Sequence, residues 1–227
     1  MFHERQGFDD GDAIASERVA LAGLILALRT RGIRDRRILS AIELIPRRLF
    51  LPVNQHSVAY DDKALPIEYG QLIAQPSMVA RIAEALGPDP GWRILEVGTG
   101  SGYQAAVLSR LFGQVYTLER YRSLVTLAAD RFTTLRLGNA FVRQGDGLEG
   151  WAEKAPFDAV VVNGSMPHVP ESLIRTLRMG GQMIIAIGPS IGRQKLLRVV
   201  RTTSGTEETV LGTVRMVPIL HGTADWL

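Results

Sequence analysis

The segment Glu96-Val97-Gly98-Thr99-Gly100-Ser101-Gly102 joins a short apolar run, Arg93 to Val97, to a helical pattern from Tyr103 to Leu111. Glycines at three alternate positions let the chain turn tightly and let a ligand approach the backbone closely. The helix start beyond them offers free N–H groups to an anionic group. A loop of this kind belongs at the carboxyl end of a parallel strand. It constrains the chain to an open α/β sheet with a crevice at that edge.

The rest of the chain supplies that sheet. A helix is expected from Asp12, as its cap, to about Arg31, with Gly32 ending it, and a second from about Asp35. Pro52, Pro66, Gly70 and Pro76 mark 52–76 as an irregular loop with short extended pieces, a length that often signals function. After a helix at Ser77–Leu86, strands and helices alternate. Strands are expected at Arg93–Val97, Gln114–Leu118, Ala140–Arg143, Ala159–Val162 and Gln182–Ile187. Helices are expected at Tyr103–Leu111, Tyr121–Leu135 and Pro170–Leu177. Leu196–Thr202 and Val210–Val217 flank Ser204-Gly205 and read as a closing hairpin. The fold class is α/β: a doubly wound, mainly parallel sheet with an antiparallel C-terminal edge and an N-terminal helical extension. Residues 1–76 form the helices and an acceptor-side loop, 77–227 the sheet, in one compact unit.

Composition removes several chemistries. The 227 residues include no cysteine, which excludes a disulfide framework, a thiolate metal site and a cysteine nucleophile. The four histidines show no pair at ligand spacing, so no metal is expected. A net charge of +3 is too small to argue for a nucleic-acid partner. The longest apolar run, Val19 to Leu28, is shorter than the ~20 residues a membrane span takes. Met1 to Asp12 are polar and acidic, and a cytoplasmic setting is the expectation.

The glycine spacing is G-x-G-x-G. Tyr103 stands where a dinucleotide loop needs its third glycine, and no G-K-[ST] follows, so it is not a Walker loop. The second strand ends at Glu119, which can accept both hydroxyls of a ribose; a solvated strand-end acid is the plainer reading. The third ends near Gly145-Asp146-Gly147, where the acid can bind an adenine amino group or simply make an Asp-Gly turn. Three such features at successive strand ends point to one nucleoside-containing ligand in the crevice.

Glu96 to Gly102, Glu119 and Asp146 resemble the S-adenosylmethionine site of class I methyltransferases. Further segments narrow the likeness: Arg47-Arg48-Leu49-Phe50-Leu51-Pro52, Ala59-Tyr60-Asp61-Asp62, Leu65-Pro66-Ile67, Tyr69-Gly70-Gln71, Gln75-Pro76, Gly98 to Val107, Gly145 to Trp151, Ala155 to Asp158, Gly180-Gly181 and Val217-Pro218. In this order they resemble the protein-L-isoaspartate O-methyltransferases. The resemblance implies a Rossmann-like fold, S-adenosyl-L-methionine as methyl donor and S-adenosyl-L-homocysteine as product. It implies methylation of the α-carboxylate of isoaspartyl residues in damaged proteins, by a monomer or weak homodimer without nucleic acid or membrane. It assigns the cofactor to Glu96, Gly98, Gly100, Ser101, Gly102, Glu119, Arg120, Asp146 and Gly147, and the acceptor to Gln71, Leu72, Ile73 and Ala74, with Asn163 and Ser165 as further acceptor-side candidates. No catalytic triad is expected, because a carboxylate acceptor is already ionised at neutral pH.

The chain departs from the family pattern in places. Where the family reads G-Q-T-I-S-Q-P, Leu72 and Ala74 replace the threonine and the active-site serine. Asn163-Gly164-Ser165 replaces small residues after the fourth strand; these two polar side chains either restore the lost donors, recognise another acceptor, or are plain turn residues. A relative with a different acceptor, or a cofactor-binding protein without repair activity, is the alternative. The unusually apolar Val19 to Leu28 reads as a more buried helix in preference to a self-association surface. Arg34 to Arg37 and Arg47-Arg48 read as solvated helix faces, one arginine being a candidate to attract an acidic peptide. His168 reads as a solvated loop residue near the crevice.

Overall fold

A computed structural model of the chain describes residues 10–225. Most of the acidic N-terminal stretch lies outside the described residues.

The first helix, α1 (Asp10–Thr30), starts two residues before the expected cap at Asp12. Gly32 ends it as anticipated, at φ 96°. The N–H of Ile33 donates to the Leu28 carbonyl (3.1 Å) and that of Gly32 to Arg29 (3.0 Å), which satisfies carbonyls that a helix end leaves free. Leu24 and Leu28 are buried, but Val19 is 73% and Leu26 66% exposed. The more buried helix expected of this apolar run is not found. Helix α2 (Arg36–Leu44) is capped by Asp35, whose carboxylate accepts from the Arg37 N–H at 2.8 Å, and buries Ile38, Leu39 and Ile42.

A two-stranded ribbon, β1 (Leu65–Pro66) and β2 (Leu72–Ile73), breaks the long loop. Tyr69 and Gly70 turn it at φ 58° and 65°. Helix α3 (Pro76–Leu86) follows, and Asp62 supplies the acceptor for its Ser77 N–H (2.8 Å).

The main sheet has seven strands: β3 (Arg93–Val97), β4 (Gln114–Glu119), β5 (Ala140–Gln144), β6 (Phe157–Met166), β7 (Leu177–Ile187), β8 (Gln194–Thr202) and β9 (Gly205–Val214). Their order is β5-β4-β3-β6-β7-β8-β9. Pairing is parallel from β5 to β7 and antiparallel through β8 and β9, as expected. The winding reverses between β3 and β6, which opens a crevice at their carboxyl ends. Helices α4 (Tyr103–Ser109), α5 (Arg122–Thr134) and α6 (Glu171–Thr176) connect the strands.

Side chains alternate between the two faces. Ile94, Val115, Val161 and Ile184 join helices α1 to α5 in one core, while Leu95, Tyr116, Val160 and Ile185 join α6, Trp151 and Phe157 in another. This alternation is the reason both faces carry helices.

Three strands differ from expectation. β7 starts at Leu177, five residues before the expected Gln182. β6 runs on to Met166, with an irregularity in its pairing between Val161 and Ser165, so Asn163 and Ser165 lie in the strand and not in a turn after it. β9 starts at Gly205, because its exposed, polar Thr206-Glu207-Glu208-Thr209 pairs as an edge strand that hydrophobicity does not mark. No helix among the described residues is long and apolar enough to cross a membrane.

Candidate active site

A cavity of about 740 Å³ opens at the carboxyl ends of β3, β4 and β6. Gly98, Gly100, Ser101 and Glu119 line one end of it; Gln71, Leu72, Ile73, Ala74 and Gln75 line another. Asn163 and the stretch Thr213 to Pro218 complete the wall. The crevice thus holds both groups of residues that the sequence singled out.

The glycine loop rests on a buried polar network. The Asn163 side-chain amide donates to a Glu96 carboxylate oxygen and to the Gly98 carbonyl, both at 3.0 Å. Its oxygen accepts from Gln104 of α4 at 2.8 Å. The other Glu96 oxygen accepts from the Thr117 hydroxyl at 2.6 Å. Thr117 spends its proton there, so the Thr99 hydroxyl, 2.6 Å away, donates to Thr117. Burial pushes the Glu96 carboxyl up from its ordinary value to about 7, although Thr117, Asn163 and Gln104 pull it down by hydrogen bonding. Glu96 and Gly102 therefore support the loop from beneath and do not line the cavity. Gly102, at φ 88°, has no room for a side chain: a Cβ there would lie 2.9 Å from the Phe132 ring. Tyr103, where a dinucleotide loop has glycine, is 1% exposed and packs edge-on against Phe50.

Glu119 is also buried, and burial raises its pKa against the backbone N–H groups that lower it. One oxygen accepts from Gly100 N–H (2.8 Å), the other from Tyr121 N–H (3.1 Å). A carboxylate has about four lone-pair sites, so each oxygen retains acceptor capacity toward the cavity.

The acceptor loop is held by a residue the sequence reading misplaced. Arg47 is not on a solvated helix face. It is 1% exposed, and its guanidinium donates to the carbonyls of Ala59 (2.7 Å), Lys63 (2.8 Å), Ala74 (3.1 Å) and Asp61 (3.3 Å). Arg131 of α5 ties the same loop to the glycine loop, donating to Glu68 (3.1 Å) and to the Ser101 carbonyl (3.0 Å). A buried arginine with main-chain partners leaves no pattern in sequence that distinguishes it from a surface one.

Several expected site residues lie elsewhere. Ser165 is 2% exposed and donates to the Met216 carbonyl (3.3 Å), because 217–219 runs beside the end of β6. It does not face the cavity. Asn163 does line it, but its amide is committed to the network. Asp146 stands at the end of β5 with both oxygens engaged, by Leu148 N–H (2.9 Å) and Gly222 N–H (2.7 Å). Burial works to raise its pKa, but these N–H donors and His221 bring it below the usual value. Gly147 and Arg120 share that edge outside the cavity wall. The Arg120 carbonyl accepts from Ala224 N–H (2.9 Å), so the C-terminal segment crosses this edge. His168 is exposed and also outside the wall.

The residues present fit a nucleoside-bearing ligand. Glu119 offers acceptors for a ribose, the loop at Gly98 and Gly100 presents bare backbone, and the cavity is of ligand size. The sheet order, the loop after β3 and the acid after β4 define a Rossmann-like methyltransferase of the S-adenosylmethionine-dependent class.

Similarity to known proteins narrows the class. Residues 20–224 match the family model described as protein-L-isoaspartate(D-aspartate) O-methyltransferase. A protein-L-isoaspartate O-methyltransferase of Parvibaculum lavamentivorans is 46% identical over 98% of both chains. One of Xanthobacter autotrophicus is 47% identical over 93% of this chain and 95% of its own. A solved protein-L-isoaspartate O-methyltransferase gives a TM-score of 0.79 at 29% identity, over 87% of this chain and 65% of that one. A Plasmodium falciparum structure in complex with S-adenosyl-L-homocysteine shares the fold, with a TM-score of 0.74 at 24% identity over 87% of this chain and 97% of that one. The chain belongs to the protein-L-isoaspartate(D-aspartate) O-methyltransferase family.

Proposed function

We propose that this chain transfers a methyl group from S-adenosylmethionine to the free α-carboxylate of L-isoaspartyl residues in damaged proteins. The observation that carries the reading is that one cavity joins the glycine loop and Glu119 to the loop Gln71–Gln75. Gly98, Gly100, Ser101 and Glu119 are assigned to the cofactor, and 71–75 to the acceptor side.

When bound, the cofactor supplies a methyl group already activated on a sulfonium. The acceptor carboxylate is ionised at neutral pH, so no residue needs to remove a proton. The task left to the protein is to hold the two in line and keep water out. Arg47 holds the acceptor loop together, Arg131 ties it to the glycine loop, and Asn163 fixes the glycine loop against β6. Leu72, Ile73 and Ala74 give the acceptor side an apolar surface.

A second reading has a specific observation behind it. The side chains at 72 and 74 carry no hydroxyl, and Ser165, a candidate replacement, faces away. A changed acceptor is the consequence if the apolar loop fails to hold an isoaspartyl carboxylate. Calorimetric titration with S-adenosylmethionine, followed by methyl transfer to an isoaspartyl peptide and its aspartyl twin, separates the two. Binding with transfer to the isoaspartyl peptide alone supports repair; binding without transfer refutes it.

A further inference from the structure

The acceptor loop brings no charged side chain to the cavity wall; its polar members there are the neutral Gln71 and Gln75. Leu72, Ile73 and Ala74 line the same cavity, and the acid in its wall, Glu119, sits at the glycine-loop end with an N–H on each oxygen. Two arginines enter the same wall from different elements. Arg81 lies one helical turn beyond Met78 on α3, and both residues line the cavity. Arg215 follows β9 within the stretch Thr213 to Pro218. Both are exposed. Among the described residues neither makes an ion pair, whereas Arg31, Arg48, Arg131 and Arg178 do. Two uncompensated cations beside an apolar floor focus a positive field into the opening. A guanidinium also matches a carboxylate with two parallel hydrogen bonds.

We infer that Arg81 and Arg215 form a cationic clamp at the cavity mouth that draws in the anionic acceptor and pairs with acidic side chains beside it, so that peptides carrying such side chains bind best. The inference rests on the reading of the chain as a carboxyl methyltransferase. The clamp serves binding more than transfer. The acceptor carboxylate is anionic before it takes the methyl and neutral afterwards, so a cation favours the ground state over the transition state. Removing the clamp raises KM for the peptide and leaves kcat unchanged or slightly higher.

The test uses the full chain and two isoaspartyl peptides, one with glutamates beside the acceptor and one with glutamines. Arg81→Ala and Arg215→Ala each raise the peptide KM about two- to five-fold, the span of one solvent-exposed ion pair. The double variant loses the preference for the acidic peptide. Arg81→Lys with Arg215→Lys restores part of it, and added salt raises KM in the wild type far more than in the double alanine variant. Arg110→Ala removes the same charge from an exposed site outside the cavity and leaves the peptide KM unchanged. No variant weakens the affinity for S-adenosylmethionine. A wild type that methylates the peptide, with a double variant of equal peptide KM, overturns the clamp and leaves the repair reading standing. If the wild type binds cofactor but does not methylate, the repair reading falls. The clamp is then decided by anisotropy of the labelled acidic peptide with S-adenosylhomocysteine present: binding lost in the double variant supports it, and equal or absent binding overturns it.

Discussion

Replacing Glu96 with glutamine isolates the cost of a buried charge beneath the glycine loop. Burial raises the Glu96 carboxyl from 4.5 to about 7 in the folded chain. Between these values the folded chain binds more protons than the unfolded one, so its stability falls as pH rises through the window. A gap of about 2.5 units at about 1.36 kcal/mol each gives a penalty of about 3 kcal/mol at pH 8, absent near pH 4.5. Glutamine has the same shape and no charge. Its oxygen can accept from Asn163, and its amide can donate to Thr117, whose proton then turns to Thr99. The network survives with its direction reversed along the two threonines.

Urea unfolding of the cofactor-free chain at pH 5, 6, 7 and 8 reads this directly. The stability of Glu96→Gln relative to wild type is expected to rise by about 2.5 kcal/mol across the series, with most of the change between pH 5 and 7. Glu119, also raised by burial, repels Glu96, so the difference reports Glu96 together with that coupling. A difference that stays constant across the four pH values refutes the argument, because Glu96 then titrates alike in folded and unfolded chains.

Three further outcomes are expected. Glu119→Gln puts an amide donor against the N–H of Gly100 or Tyr121, and calorimetry should show S-adenosylmethionine affinity reduced about ten- to a hundred-fold. Leu72→Thr combined with Ala74→Ser should lower the KM for isoaspartyl peptides with little change in kcat; an unchanged kcat/KM dissociates those positions from the acceptor. Arg47→Met strips donors from four carbonyls and should cost about 3 kcal/mol or more by urea unfolding, with faster proteolytic cleavage in 59–74; Arg47→Lys, with fewer donors, should fall between.

The parallel part of the fold was legible because β3, β4 and the buried half of β6 are apolar runs closed by turn residues, and periodicity finds those. β9 was misplaced because an edge strand is defined by its partner's hydrogen bonds, and Thr206 to Thr209 carry no apolar period. At the site, the glycine spacing and Glu119 were readable because backbone geometry demands those residue types. Arg47 was not, since its role depends on carbonyls 12 to 27 residues away that no local pattern reveals. Ser165 failed for a related reason. Its polar side chain after the fourth strand suggested a donor to the acceptor, but 217–219 pairs alongside it and the Met216 carbonyl takes the hydroxyl.

The loss of two hydroxyls and the presence of two arginines without an ion-pair partner among the described residues fit one physical account. Methyl transfer to a carboxylate neutralises an anion and a cation together, so polar surroundings hold the separated charges better than the transition state. An apolar floor at Leu72, Ile73 and Ala74 therefore costs acceptor affinity without slowing transfer, and by limiting hydration it favours the neutral product. Affinity then has to come from outside the reacting centre. Arg81 and Arg215 stand on the wall, beyond that floor, where a charge raises capture and interferes least with neutralisation. In this arrangement recognition moves from the floor of the cavity to its rim, and the side chains flanking the acceptor in the substrate gain a say in which damaged site is methylated.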